Sequence, residues 1–133
     1  MANTFYPKGA QKILGGQIDL SAHTISAALV PSGYTYSTTH EFLSDAGTVV
    51  GTPVDLANKS ITGGIFDADD LNFGALAPGN TVKALVLFKN SGSPSTSPLL
   101  CYLDEVTGFS FSTNGGAVLI PWSNGAAKIL SLV

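Results

Sequence analysis

Nine consecutive residues, Thr81-Val82-Lys83-Ala84-Leu85-Val86-Leu87-Phe88-Lys89, constrain the fold of this chain more than any other stretch. Side chains alternate along a strand, so Val82, Ala84, Val86 and Phe88 are expected on one face. Thr81, Lys83, Leu85, Leu87 and Lys89 then lie on the other. Both faces are apolar at mid-strand. Such a strand is covered on both sides, which makes it central in its sheet, with a core on one face and another element or another subunit on the other. Leu85 and Leu87 lie opposite a core built on Val82, Val86 and Phe88, and in water each would forgo about 1.5–3 kcal/mol of burial. Something must cover them, either a short helix of the same chain or a second copy.

The rest of the chain reads as short strands separated by turns. Thr24–Val30 is a strand closed by Pro31-Ser32-Gly33. Ile13-Leu14 and Gln17–Leu20 read as a broken strand, bent at Gly15-Gly16. Further strands are expected at 48–50, 54–56, 60–66, 98–104, 109–112, 117–120 and 127–132, with core positions at Val118, Ile120 and Ile129. Asn114-Gly115-Gly116 marks the turn between 109–112 and 117–120. Thr38 followed by Glu41 matches a capping box, predicting one two-turn helix up to Gly47. Residues 90–97, rich in Ser, read as a flexible exposed loop joining the central strand to 98–104 in a long hairpin. This pattern predicts an all-β fold, an antiparallel β-sandwich, jelly-roll-like, with one short helix. A chain of 133 residues holds one such domain, 13–133, preceded by a polar arm, 1–12, whose Phe5 and Tyr6 either lie over their own domain or reach a neighbouring subunit.

Charged residues make up 11% of the chain, against about 25% in typical soluble domains. So little charge gives weak repulsion between copies, which suits a protein held against a partner and predicts a homo-oligomer, a dimer or trimer. Six scattered Lys and Arg offer no basic stripe, so nucleic-acid binding is not expected. No apolar run approaches a membrane span, and the N-terminal residues do not read as a signal peptide. The lone Cys101 lies in an apolar strand, where a thiol behaves as a small hydrophobe, and fits folding in a reducing cytoplasm.

Candidate chemistry is sparse. Asp67, Asp69 and Asp70 could supply oxygens to Ca²⁺, but Asn72 and Pro78 stand where an EF-hand loop needs Gly and Glu. A turn in which the carboxylates bond nearby N–H groups is the expectation, with no metal and no cofactor. His23 and His40 read as surface residues without visible partners, and no nucleophile motif accompanies them, so no catalytic residues are assigned. Tyr34 and Tyr36 alternate in a polar loop, the pattern of a protein interface or a carbohydrate-binding face, which Trp122 could extend. The candidate interface residues are therefore Phe5, Tyr6, Tyr34, Tyr36, Leu85 and Leu87.

Several stretches together resemble small structural proteins of tailed-bacteriophage virions. They are Met1-Ala2-Asn3-Thr4-Phe5-Tyr6, Ile18-Asp19-Leu20 leading to Ile25–Val30, and the Tyr34-x-Tyr36 loop before Thr39–Leu43. Gly64–Asp70 and Thr81–Leu87 complete the pattern. The resemblance implies a non-enzymatic virion component made in the host cytoplasm. Its nearest expectation is a capsid cement or decoration protein that binds the assembled shell, with the major capsid protein as partner. A tail- or fibre-associated module binding a protein or host glycan is the alternative.

Overall fold

The computed structural model describes residues 4–104, 109–122 and 129–131. In chain order it contains β1 (Thr4–Phe5), the helix α1 (Pro7–Leu14), β2 (Ile25–Pro31), β3 (Val50–Asp55), β4 (Ser60–Thr62), β5 (Ile65–Asp67) and β6 (Leu71–Ala75). These are followed by β7 (Thr81–Lys89), β8 (Leu99–Leu103), β9 (Phe111–Ser112), β10 (Ala117–Ile120) and β11 (Leu130–Ser131). Single 3₁₀ turns lie at Leu43–Ala46 and Pro94–Thr96. The fold is mostly β, with antiparallel pairing throughout the described strands.

The predicted central strand is central. β7 stands in the middle of the main sheet, ordered β1-β8-β7-β2-β3, and β9 pairs with its first two residues. β10-β6 and β11-β5-β4 form two smaller sheets. The hairpin from β7 to β8 is as expected, whereas β9 and β10 pair with different strands and make no hairpin with each other.

The faces of β7 differ from simple alternation at one residue. Val30 pairs with Ala84 and Pro31 with Val82, so Lys83 is an extra residue in the ladder. Pro31 has no N–H to give there, and the bulge turns Val82 to the side of Leu85 and Leu87. On that side Val82, Leu85, Leu87, Leu29 and Cys101 meet Phe66, Leu71, Phe73, Ile120, Trp122 and Ile129 from the smaller sheets and their flanks. On the other, Ala84, Val86 and Phe88 meet Tyr6, Tyr34, Tyr102, Leu43 and Ala46.

The expectation that Leu85 and Leu87 form an outer face is therefore corrected. Both are fully buried within their own chain, because the smaller sheets close over them. The segment expected as a helix does provide a cover, but over the Val86 and Phe88 side, and as the 3₁₀ turn Leu43–Ala46. Asp45 caps it, accepting from the Glu41 and Phe42 N–H groups at 2.8 and 3.0 Å.

Residues 4–12 of the expected arm are not loose but lie over their own chain. β1 pairs with β8, and α1 follows at once. Pro7 is suited to the first helical turn, where its missing N–H leaves no bond unmade. The helix ends where Gly16 adopts a φ of +78° and the Gly16 and Gln17 N–H groups turn back to Ile13 and Lys12 carbonyls at 3.2 and 2.8 Å. Gly15-Gly16, expected as a bend in a strand, thus closes a helix. Gly9 lets α1 lie backbone to backbone on β8, since a Cβ there would come within 2.2 Å of the Leu99 carbonyl oxygen.

The loop after β7 is also tied down. Ser97 is buried, its hydroxyl donating to the Ser93 carbonyl at 2.7 Å, and its own carbonyl accepts from Leu43 N–H at 2.8 Å.

Candidate functional site

All four tyrosines of the chain, Tyr6, Tyr34, Tyr36 and Tyr102, gather with His40 on the Val86 and Phe88 side of the main sheet. The Tyr6 and Tyr34 hydroxyls lie 2.6 Å apart, and the Tyr34 hydroxyl lies 2.8 Å from His40 Nδ1. Tyr36 donates to the Phe5 carbonyl at 2.9 Å, and its ring lies 4.9 Å from Tyr6 and 5.6 Å from Tyr102. From β7, Lys83 reaches around to donate to the Tyr34 carbonyl at 2.9 Å. Burial pushes the hydroxyl pKa of Tyr6 and Tyr34 up, so both phenols keep their protons. Outside this cluster, Lys12 pairs with Glu41 at 2.7 Å, with Lys8 at 3.8 Å from the same carboxylate, and holds α1 to the loop before the 3₁₀ turn.

Tyr6 and Tyr34, expected at an interface, are thus buried in their own chain, because each finds a partner for its hydroxyl there. Tyr36 and Phe5 are half-buried. Trp122 lies in the other core, on the far side of the main sheet, so Tyr34 and Trp122 do not share an exposed aromatic face.

The remaining candidates hold the fold together. Asp70 accepts from Trp122 N–H at 2.9 Å, and the Asp69 carbonyl accepts from the indole N–H at 3.0 Å. Asp69 also takes the Asn58 amide at 2.5 Å. Among the described residues no group of three metal-ligating side chains is placed around a common point. His23 is not without partners: its Nδ1 accepts from Asp19 N–H at 2.9 Å, and Lys59 donates to its carbonyl. The Asp19 carboxylate gathers the Ser21 hydroxyl and the Ser21 and Ala22 N–H groups, which hold its pKa below the usual carboxylate range. Cys101 is fully buried, and burial pushes its thiol up to about 12, so it stays protonated and unreactive.

One surface feature was not foreseen. An apolar groove of about 480 Å³ runs between α1 and the β4–β5 hairpin, walled by Phe5, Ile13, Leu14, Ile18, Ile61 and Phe66. Asp19 is its one charged lining residue. Leu14 is 84% exposed on one rim and Ile61 50% exposed on the other. The sequence signals that could have pointed to it are Pro7 and Gly16, which mark the ends of the helix that carries Ile13 and Leu14. Among the described residues, no helix is long and apolar enough to cross a membrane. Compared with protein-family models, curated proteins and solved structures, the chain has no match.

Proposed function

We propose that this chain is a non-enzymatic structural protein of a tailed-phage virion, a cement or decoration protein with a jelly-roll-like sandwich fold that binds and stabilises the assembled shell. The observation that carries the reading is the apolar groove beside α1, with Leu14 and Ile61 standing in water on its rims. Exposed apolar side chains on both sides of a groove favour a surface that is covered in the working assembly. The low charge of the chain supports the same reading, because a permanently held protein has less need of a repulsive surface. A protein that binds the assembled shell and not its separate parts stabilises the shell by mass action, which requires an interface and no active site.

In this reading the groove, not Leu85 and Leu87, carries contacts to a second copy of the chain or to the major capsid protein. A tail-associated position would use the same groove. Electron microscopy of virions decorated with a gold-labelled antibody to this chain separates the two. Label spread over the head is the expected result, label confined to the tail would move the protein there, and virions without label would refute a structural role.

A further inference from the structure

The buried line from Tyr6 through Tyr34 to His40 has no part in the reading above, and its proton count is unusual. Tyr6 is fully buried and Tyr34 nearly so, so each hydroxyl proton needs an acceptor within the cluster. One arrangement serves both. Tyr6 donates to Tyr34 at 2.6 Å, and Tyr34 donates to an unprotonated His40 Nδ1 at 2.8 Å. A protonated imidazole donates from both nitrogens. Three protons would then compete for two hydrogen bonds, and one buried donor would be left unserved.

We propose that this line is an acid-released latch on the β1–α1 segment. With His40 neutral it pins Tyr6, the joint between β1 and α1, onto the main sheet; protonation of His40 loosens the joint. The segment is the part able to give way, because β1 is only two residues long and stands at the sheet edge. Since α1 forms one wall of the apolar groove, the latch sets the shape of that groove.

The charged groups around His40 do not cancel the effect. Asp45, on the 3₁₀ turn, attracts an imidazolium, but it is exposed and water screens it. Glu41 is engaged by Lys12 and Lys8, and Lys83, held on the Tyr34 carbonyl, repels a second positive charge. Burial, with the Asp104 charge, pushes the Tyr102 phenol pKa up, so it stays neutral. Hydrogen bonds hold the Asp45 and Glu41 pKa values below the usual carboxylate range, so both stay ionised while an imidazole titrates.

Amide hydrogen exchange on the whole chain, corrected for the intrinsic pH dependence of exchange, tests the latch. The reporters are the Tyr6 N–H, bonded to the Leu100 carbonyl, and the Ala10 N–H, bonded to the Tyr6 carbonyl. Their protection should fall about tenfold between about pH 8 and about pH 5.5. In His40→Asn, whose side-chain oxygen accepts from Tyr34 without titrating, it should stay flat. Flat or rising protection in the unaltered protein would overturn the proposal. So would an equal fall in His40→Asn, which would assign the effect to His23. Should His40→Asn fail to fold, Tyr34→Phe decides: weaker but pH-independent protection supports the latch, and an undiminished fall refutes it.

Discussion

The two sides of β7 bury similar amounts of strand by different means. On the side of Leu85 and Leu87 the contacts are aliphatic and aromatic carbon, supplied by the two smaller sheets. On the side of Val86 and Phe88 the cover is a layer of tyrosines and a histidine, supplied by Tyr6, the 34–46 segment and Tyr102 of β8. Hydrophobic burial is non-directional, so the first side tolerates any close-packed arrangement of about the right volume. Hydrogen bonds fix angles and partners, so the second side specifies where α1 and the 34–46 segment must sit. The aliphatic side carries stability, and the tyrosine side carries position.

The largest expected effect lies on the aliphatic side. Leu87→Ala should lower unfolding stability by about 2–5 kcal/mol, measured by urea denaturation, because it empties a site closed on every side. A loss below about 1 kcal/mol would mean that the smaller sheets do not close over Leu87 as described.

Gly9→Ala should come next, at about 1–3 kcal/mol. Alanine favours a helix over glycine by up to about 1 kcal/mol, but a methyl group 2.2 Å from a backbone oxygen on β8 forces α1 off the sheet, and the clash wins. Stabilisation by Gly9→Ala would show that α1 does not rest on β8.

Tyr6→Phe tests the positional role and should cost about 1 kcal/mol, since Tyr34 loses one bond and keeps His40. Its distinguishing result is local: exchange of the Ala10 amide should speed up more than exchange of β7 amides. Uniform acceleration would erase the contrast between the two sides.

Much of this molecule was legible before the structure, and the misses have physical causes. β7 and its central place followed from alternation over nine residues, which needs no partner to be read. The bulge at Lys83 did not, because an extra residue exists only relative to the register of β2. Alternation alone therefore placed Val82 on the wrong side. Alternation points Leu85 and Leu87 to an outer face, because the two smaller sheets come from short strands whose closure over β7 is a long-range event. α1 was missed although Pro7 and Gly16 announce its ends, since Gly15-Gly16 beside apolar residues also matches a strand bend. The tyrosine layer joins residues from three distant parts of the chain. Tyr34 and Tyr36, in a polar stretch, looked exposed for that reason. Parts of the last predicted strand, 127–128 and 132, fall outside the described residues.

Both sides of β7 are closed inside one chain, and in the reading proposed above the groove between α1 and the β4–β5 hairpin carries the contact to a partner. Light scattering across micromolar concentrations, on the unaltered protein and on Leu14→Lys with Ile61→Lys, tests that claim most directly. Both residues stand in water, so the double variant should keep its melting temperature within the range of ordinary surface substitutions, about 0.5 kcal/mol in stability. The predicted result is an oligomer for the unaltered protein and a folded monomer for the variant. An unaltered protein that remains monomeric, or an oligomer that the two lysines leave intact, would contradict self-association through this groove.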